Sequence, residues 1–411
     1  MTDQTFVIVG GGLAGATAAT TLRGAGFDGA ILLFGAEPHL PYIRPPLSKE
    51  YMLGKAGRES VFVHPAGWYS EHDVEVDAST TVTSIDPEGH RISLADDRDI
   101  RYDRLLLATG ATPRRVSVPG STAEGIHYLR TVEDSERLHS ALADGGRTVV
   151  LVGAGWIGLE IAAAAREFGN TVTAIGRETI PLQGPLGDEL GGVFQRLHEE
   201  HGVRFRLPAN LVEFSERDGR VTGVLTDAGD RPADLVVVGI GAVPNTGLAE
   251  QAGLDIRNGI LVDETLATSA PDVFAAGDVA NAYHPVVKRH MRNEHWATAI
   301  ASGKVAARSM LGASAVLDDI PYFYTDQYDL GMEYSGYPPL TPDATVIYRG
   351  DVATREFIAF WVSADDRVVA GMNVNVWDVN EQVQQLIAGG RPVHRARLAD
   401  PAVPFADVAL A

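Results

Sequence analysis

The stretch that decides the fold is Gly10-Gly11-Gly12-Leu13-Ala14-Gly15, which follows an apolar strand-like run at residues 5–9. A helix-like segment ending at Gly24 and a second apolar run at residues 30–34 come next. Strand, glycine-rich turn, helix and strand in this order make up a dinucleotide-binding unit. In such a unit Gly10 permits the tight turn, Gly12 lets the backbone approach a pyrophosphate, and Gly15 allows close helix packing.

The same pattern recurs at Gly153-Ala154-Gly155-Trp156-Ile157-Gly158, between apolar runs at residues 148–152 and 171–175. The helix after this turn is predicted to present one apolar face, formed by Ile157, Ile161, Ala165 and Phe168. A single glycine-rich turn is weak evidence, because such turns also occur without ligands. Two turns in the correct context predict two nucleotide sites.

The residues after the second strand of each unit bear on the choice of nucleotide, because a carboxylate there normally binds the adenosine ribose. Glu37 stands at this point in the first unit, whereas the second unit has Gly176 followed by Arg177. An acidic residue at position 176 would repel the 2′-phosphate of NADPH, so a glycine there with an arginine next to it favours NADPH over NADH. In the alternative interpretation, Arg177 is a solvated surface residue and Glu178 binds the ribose.

Composition excludes several classes of protein. The 411 residues are 45% hydrophobic and 21% charged, which is typical of a globular α/β protein, and the net charge of −20 disfavours nucleic acid and anionic membranes as partners. There is no cysteine, so disulfides, thiolate metal ligands and thiol redox relays are excluded, and we predict no metal site. The first strand lies too near Met1 for a signal peptide, and no apolar run reaches the roughly 18 residues of a membrane span, which predicts a cytoplasmic protein.

Several other segments, together with the two units, resemble the motifs of a known protein family. Residues 41–49, Pro41-Tyr42-Ile43-Arg44-Pro45-Pro46-Leu47-Ser48-Lys49, are the most specific of them. Over nearly its whole length the chain resembles the ferredoxin reductases of the glutathione-reductase-like flavoprotein superfamily, which supply oxygenases and cytochromes P450 with electrons. The resemblance implies that this segment passes over the isoalloxazine ring of FAD.

By the same resemblance, Arg44 and Pro45 contact the FAD and Lys49 lies near flavin N5 and O4. A cation there stabilises the anionic reduced flavin. The alternative is that Lys49 is an ordinary exposed lysine.

Two further segments resemble FAD motifs of the superfamily. Residues 105–113 contain Ala108-Thr109-Gly110, and residues 273–279 contain Gly277-Asp278, whose aspartate is implied to accept a hydrogen bond from the ribityl chain. These positions predict a discontinuous FAD domain at 1–113 and 245–318, an NAD(P) domain at 114–244 and a C-terminal α+β domain at 319–411. The predicted fold class is therefore α/β, with two Rossmann-like domains and a third, α+β domain.

The resemblance also implies residues beside the nicotinamide and the flavin. Ile240-Gly241 lies in a segment that holds the nicotinamide nucleotide, and Glu160 faces the nicotinamide, unless its carboxylate caps its own first helical turn. Glu294-His295-Trp296 lies beside the flavin, unless Trp296 only packs in the core.

Lys49 and Glu160 are the candidate catalytic residues. The predicted FAD contacts are Gly10, Gly12, Leu13, Ala14, Gly15, Glu37, Arg44, Pro45, Lys49, Ala108, Thr109, Gly110, Gly277, Asp278, Glu294, His295 and Trp296. The predicted NAD(P) contacts are Gly153, Gly155, Trp156, Ile157, Gly158, Glu160, Gly176, Arg177, Ile240 and Gly241.

This arrangement implies an NAD(P)H-dependent ferredoxin reductase, in which FAD takes a hydride from the nicotinamide and passes single electrons to a [2Fe–2S] ferredoxin. The absence of cysteine excludes the disulfide reductases, thiol-dependent oxidases and peroxidases of the superfamily. A rubredoxin as acceptor, a flavin oxidase or diaphorase, and an NAD(P)H-sensing flavoprotein without turnover all stay open.

An acidic ferredoxin needs a local basic surface on this acidic chain. Five cations lie close together in sequence near Trp296, in a stretch that we predict to be helical. They are Lys288, Arg289, Arg292, Lys304 and Arg308. The alternative interpretation is a solvated helix face.

Overall fold

The computed structural model describes residues 3–410. The strands are β1 (Thr5–Val9), β2 (Ala30–Phe34), β3 (Val74–Asp77), β4 (Val82–Asp86), β5 (Arg91–Leu94), β6 (Asp99–Arg101), β7 (Arg104–Leu107), β8 (Ala111–Pro113), β9 (Ile126–His127), β10 (Thr148–Val152), β11 (Thr171–Ile175), β12 (Arg204–Arg206), β13 (Leu211–Arg217), β14 (Arg220–Thr226), β15 (Gly229–Pro232), β16 (Leu235–Val238), β17 (Ala242–Pro244), β18 (Ile260–Val262), β19 (Val273–Ala275), β20 (Ala280–His284), β21 (Arg289–Met291), β22 (Tyr322–Gln327), β23 (Leu330–Gly336), β24 (Thr345–Asp351), β25 (Glu356–Val362) and β26 (Val368–Val374). The helices are α1 (Leu13–Gly24), α2 (Trp68–Glu71), α3 (Val132–Leu142), α4 (Trp156–Glu167), α5 (Gln183–Glu200), α6 (Gly247–Gln251), α7 (Trp296–Met310), α8 (Asn380–Gly389) and α9 (Arg395–Ala399).

The first unit is a five-stranded parallel sheet in the order β3-β2-β1-β7-β19. Its inner strands are almost continuously apolar and buried, as expected of a parallel sheet covered on both faces. Helices α1 and α7 pack closely, because Gly303 has no side chain. A Cβ there would lie 2.6 Å from the carbonyl oxygen of Ala14. Since β19 pairs with β7, the chain returns to this sheet after the second unit.

The second unit repeats this architecture with the parallel order β12-β11-β10-β16-β9. Its two connections to the first unit run side by side, because β8 and β17 pair antiparallel. Asn245, directly after β17, donates its backbone N–H to the carbonyl oxygen of Gly110 at 2.9 Å. The predicted strands and glycine-rich turns of both units are thus confirmed.

The C-terminal sheet is antiparallel, in the order β22-β23-β26-β25-β24, and helices α8 and α9 pack on it. Strands β25 and β26 pair antiparallel within this sheet. Leu190 and Phe194 of α5 share one core with Phe357 and Met372, so this sheet packs on the second unit. Two small antiparallel sheets, β4-β5-β6 and β13-β14-β15, and one small mixed sheet, β18-β20-β21, complete the fold.

Two sequence expectations were wrong in detail. Ile157 does not join the buried face of α4, since it is 45% exposed in the first helical turn, whereas Ile161 and Ala165 are fully buried. Leu159 and Glu160 of the same turn are buried, whereas Ile157 faces a cavity. Lys288, Arg289 and Arg292 are not helical either, since they belong to the β20–β21 hairpin and the segment after it, and only Lys304 and Arg308 lie on α7. No helix of residues 3–410 is long and apolar enough to cross a membrane.

Candidate active site

The first glycine-rich turn is packed tightly on one side and open on the other. Gly10 has a φ of +126°, and a Cβ on it would lie 2.1 Å from the carbonyl oxygen of Ala108. A Cβ on Gly15 would lie 2.3 Å from the carbonyl oxygen of Gly10, so Gly15 has the helix-packing role that the sequence predicts. A Cβ on Gly12 would meet none of the described atoms within 4 Å.

The second turn has the same geometry. Gly153 has a φ of +108°, and a Cβ on it would lie 2.2 Å from the carbonyl oxygen of Gly239. A Cβ on Gly158 would lie 2.4 Å from Gly153, and one on Gly155 would find open space among residues 3–410. No side chain of the described chain caps α1 or α4. The first-turn N–H groups of both helices can therefore bind an anion such as a pyrophosphate.

A cavity of about 1050 Å³ begins at the first turn and reaches the first turn of α4 and the start of β22. Every residue predicted to contact FAD lines it, except Gly15. Of the residues predicted for the nicotinamide nucleotide, Trp156, Ile157 and Glu160 line it as well. The others, which lie outside this cavity, are Gly153, Gly155, Gly158, Gly176, Arg177, Ile240 and Gly241.

Lys49 and Glu160 form an ion pair in the cavity wall. The distance from Lys49 Nζ to Glu160 Oε1 is 2.7 Å, and the two side chains are only 10% and 3% exposed. The Ser48 hydroxyl donates to the other carboxylate oxygen of Glu160. The Thr325 hydroxyl donates to Oε1 at 2.6 Å. The alternative interpretations are therefore wrong for both residues, because Lys49 is not exposed and Glu160 does not cap its own helix.

A second ion pair joins the first unit to the segment of residues 41–49. Arg44 bonds to Glu37 at 2.8 Å, and its guanidinium also donates to the carbonyl oxygen of Arg130 at 2.5 Å. The Tyr42 hydroxyl donates to the second oxygen of Glu37, and burial raises the pKa of this hydroxyl. Glu37 therefore lines the cavity with both oxygens already engaged.

Asp278 lies at the turn after β19 and pairs with Arg130 at 2.9 Å. Burial lowers the pKa of the Arg130 guanidinium. Arg292 donates to the backbone oxygen of Asp278 at 3.1 Å and pairs with Glu294 at 2.5 Å, and its side chain is 11% exposed. The prediction of Arg292 as a docking cation is therefore wrong, because its charge is turned inward.

Aromatic rings close the cavity on the side of the C-terminal sheet. His295 stacks on Phe323 at 4.4 Å between ring centroids, and Phe323 meets Trp156 edge-on at 5.1 Å. Burial lowers the pKa of His295 to about 4, so this ring is neutral at pH 7. Trp296 is 40% exposed at the cavity, so the interpretation of this side chain as core packing is wrong.

The end of β11 leaves the choice of nucleotide open. Gly176 is buried, and Arg177 and Glu178 are both exposed. Within the described part of the chain, neither side chain has an ion-pair partner that would fix it. The geometry is compatible with either residue meeting the adenosine ribose.

Residues 4–303 match the family model of the pyridine nucleotide-disulphide oxidoreductases, and residues 322–409 match the C-terminal domain of reductases. The chain belongs to this oxidoreductase family. The oxidoreductase is 39% identical to the ferredoxin–NAD(+) reductase component of the anthranilate 1,2-dioxygenase system of Burkholderia cepacia, over 98% of both chains. It is 37% identical to a ferredoxin–NAD(P)(+) reductase of a Sphingomonas species, over 98% of this chain and 96% of that one.

The fold also matches a solved structure. The oxidoreductase superposes on the reductase chain of the covalent putidaredoxin reductase–putidaredoxin complex with a TM-score of 0.95 and 34% identity, covering 99% of this chain and 98% of that chain. The family implies FAD and NAD(P)H as cofactors, and the two open glycine-rich turns fit two dinucleotides. Because this member has no cysteine, the disulfide chemistry in the family's name cannot take place in it.

Sequence reasoning missed several polar residues of the cavity. Arg130, Ser48, Thr325 and Asn245 all line it. Arg130 directly precedes the capping box of α3, formed by Thr131 and Asp134, and that signal locates a helix start without indicating where the preceding arginine points. Thr325 follows the strand period of β22, which allows only the inference that it shares a face with Phe323 and Gln327.

Proposed function

We propose that this oxidoreductase is a ferredoxin reductase. It takes a hydride from NAD(P)H, with NADPH preferred, and passes single electrons to a [2Fe–2S] ferredoxin that serves a cytochrome P450 or another oxygenase. The observation that carries the proposal is the Lys49–Glu160 pair, which lies in the wall of a cavity that reaches from the first glycine-rich turn to the first turn of α4. The names of the relatives support ferredoxin as the acceptor. A rubredoxin is the alternative acceptor.

The proposed division of the chain follows the predicted boundaries. FAD would be held by residues 1–113 and 245–318, and the nicotinamide nucleotide by residues 114–244. The open space at Gly12 supports a pyrophosphate of FAD at the N-terminus of α1, and the open space at Gly155 supports that of NAD(P)H at α4. Asp278, held by Arg130, would accept a hydrogen bond from the ribityl chain.

When bound, FAD supplies the chemistry that accepts a hydride and releases electrons one at a time. The protein supplies position and charge. Lys49 presents an ammonium group whose orientation is fixed by Glu160, and Glu160 is fixed in turn by Ser48 and Thr325. The rings of His295 and Phe323 exclude water from the same side, which strengthens these charge interactions.

The preference for NADPH rests on Gly176 and Arg177. A carboxylate at position 176 would repel a 2′-phosphate, and the exposed Arg177 is free to pair with one. Replacing Gly176 with Glu and Arg177 with Ala should raise the ratio of kcat/KM for NADH to kcat/KM for NADPH. An unchanged ratio would refute the preference for NADPH. The Glu178→Gln variant is the matched test of the alternative, because it should impair NADH use only if Glu178 binds the ribose.

The function is tested by anaerobic stopped-flow reduction of the purified holoenzyme with NADPH and with NADH, followed by mixing with a [2Fe–2S] ferredoxin and cytochrome c. Rapid bleaching and ferredoxin-dependent cytochrome reduction are expected. Rapid bleaching with fast reoxidation by oxygen or a quinone, independent of ferredoxin, would indicate an oxidase or diaphorase instead. Very slow bleaching of the flavin by both nucleotides would indicate an NAD(P)H-sensing flavoprotein without turnover.

The docking surface is proposed at Lys288 and Arg289, which remain exposed on the β20–β21 hairpin. The proposed surface also includes Lys304 and Arg308, which are exposed and lie four residues apart on one face of α7. Reversal of Arg289 to Glu should slow ferredoxin-dependent cytochrome reduction at low salt and have less effect at high salt. The Arg217→Glu variant is the control, since Arg217 is also exposed but lies on β13. Equal effects of the two reversals would exclude a docking role for the hairpin.

A further inference from the structure

Strand β22 presents one face to the second unit. Its alternate residues Phe323, Thr325 and Gln327 each meet a different side chain of α4 or α5, as the two-residue period of a strand allows. Thr325 meets Glu160 of α4, and Gln327 meets His198 of α5 with 2.7 Å between Gln327 Oε1 and His198 Nε2. Thr325 and Gln327 are each 1% exposed and His198 is fully buried.

One continuous chain of hydrogen bonds joins His198, Gln327, Thr325 and Glu160. Burial lowers the pKa of His198 to about 4, so its ring is neutral at pH 7 and carries one N–H. The His198 Nε2–H donates to Gln327 Oε1, and Gln327 Nε2 donates to Thr325 Oγ1 at 3.0 Å. The Thr325 hydroxyl then donates to Glu160. Every donor therefore points towards the carboxylate.

The direction of this chain follows from the geometry. The amide nitrogen of Gln327 occupies one lone pair of the Thr325 hydroxyl, so the hydroxyl proton is available for Glu160. If the amide were reversed, the Thr325 proton would turn to Gln327. The Thr325 and Glu160 oxygens, 2.6 Å apart, would then face each other without a proton between them. A carboxylate and an unprotonated acceptor repel at that distance.

We propose that Gln327 and His198 are positioning residues for Glu160, acting through Thr325 to hold its carboxylate, and with it Lys49, in the arrangement that hydride transfer requires. This inference rests on the proposed role of Glu160 beside the nicotinamide. Neither Gln327 nor His198 lines the cavity, so both act only through their neighbours.

The test compares Gln327→Leu with a matched control, Gln384→Leu. Gln384 also donates a hydrogen bond to a hydroxyl, that of Ser335, but within the C-terminal domain. In the holoenzyme, Gln327→Leu should lower the limiting rate constant for flavin reduction about tenfold. The nucleotide concentration that gives half of this rate should change less than about twofold. The control should leave both constants unchanged. Thr325→Val should reproduce the loss, and Thr325→Ser, which keeps the hydroxyl, should restore the rate.

A second readout does not depend on turnover. The 15N chemical shifts of the His198 ring report which nitrogen carries the proton. In the unmodified protein the Nε2–H form is expected, and in Gln327→Leu the ring should become a mixture of both forms. A rate of flavin reduction in Gln327→Leu equal to that of the Gln384→Leu control would overturn the inference, whichever tautomer the ring adopts.

The role of Glu160 is tested separately by Glu160→Gln. If this variant reduces as fast as the unmodified enzyme, the proposed role of Glu160 fails. If Glu160→Gln is slow while Gln327→Leu matches the Gln384→Leu control, only the positioning role fails.

Discussion

The burial of the Lys49–Glu160 pair has a consequence for stability that can be measured against a pair of equal length on the surface. Lys55 and Glu167 are also joined at 2.7 Å, but their side chains are 59% and 47% exposed, compared with 10% and 3% for Lys49 and Glu160. The pair distance is therefore the same, and the two pairs differ in burial and in the hydrogen bonds that Glu160 accepts from Ser48 and Thr325. Removing one partner of a buried pair leaves an uncompensated charge and costs about 3–5 kcal/mol, whereas an exposed pair contributes about 0–1 kcal/mol.

We expect Lys49→Met to lower the free energy of unfolding by about 3 kcal/mol and Lys55→Met by less than about 0.5 kcal/mol. Glu160 keeps its bonds from Ser48 and Thr325, which places the estimate at the lower end of the range for buried pairs. The assay is equilibrium urea unfolding of the holoenzyme, followed by tryptophan fluorescence.

A double-mutant cycle completes this test. Lys49→Met combined with Glu160→Gln removes both charges, so the double variant should be more stable than the sum of the single losses by about 2–3 kcal/mol. The reasoning is refuted if the single losses add within about 0.5 kcal/mol, or if Lys49→Met costs no more than Lys55→Met.

Three further predictions follow from geometry and burial. Gly10→Ala should lower FAD affinity at least about tenfold, because its Cβ would lie 2.1 Å from a carbonyl oxygen at a φ of +126°; FAD titration of the apoprotein checks this, and Gly24→Ala, where the methyl group meets no described atom within 4 Å, should bind normally. Because burial lowers the pKa of His198 and of His295 to about 4, the unfolded chain binds more protons than the folded one between pH 6.5 and 4, and stability should fall as pH is lowered through that window, by up to about 3 kcal/mol for each ring. Urea unfolding at pH 7 and pH 5 measures this loss of stability. The loss should be smaller in His198→Gln, and an equal loss in the variant and the unmodified protein would contradict the prediction. Arg130→Met should weaken FAD binding about tenfold by leaving Asp278 unpaired, and an equal effect of Arg220→Met, which breaks an exposed pair with Glu124 outside the cavity, would show that charge alone is responsible.

The parts of the fold and the site that could be predicted from the sequence are those that short stretches of backbone impose. Gly10 and Gly153 are needed because a carbonyl oxygen of the residue directly after a neighbouring strand occupies the place of a side chain, and the resulting motif is visible within six residues. Asp278 and Lys49 were found by their place in longer motifs, and both line the cavity.

The parts that could not be predicted depend on partners far apart in sequence. Thr325 meets Glu160 across 165 residues, and Arg130 meets Asp278 across 148, and no local pattern encodes either contact. Arg292 illustrates the opposite error, since five cations near one another in sequence do not reveal which of them turns inward to a carboxylate. The number of charges in a stretch of sequence describes its composition, whereas docking depends on which of those side chains point to the surface.

Because β8 and β17 pair side by side, the second unit is an insertion whose two ends lie next to each other. Ala111 pairs with Pro244 and Pro113 with Ala242, so the chain leaves the first unit and returns to it at neighbouring points. A short turn could join the two strands as a hairpin and omit everything between them without altering the path of the first unit. The same junction suits grafting, because a foreign nucleotide-binding unit with adjacent ends could be spliced in without stretching the recipient. Such a chimaera would also need an apolar face for Phe357 and Met372, because the C-terminal sheet shares its core with Leu190 and Phe194 of the second unit.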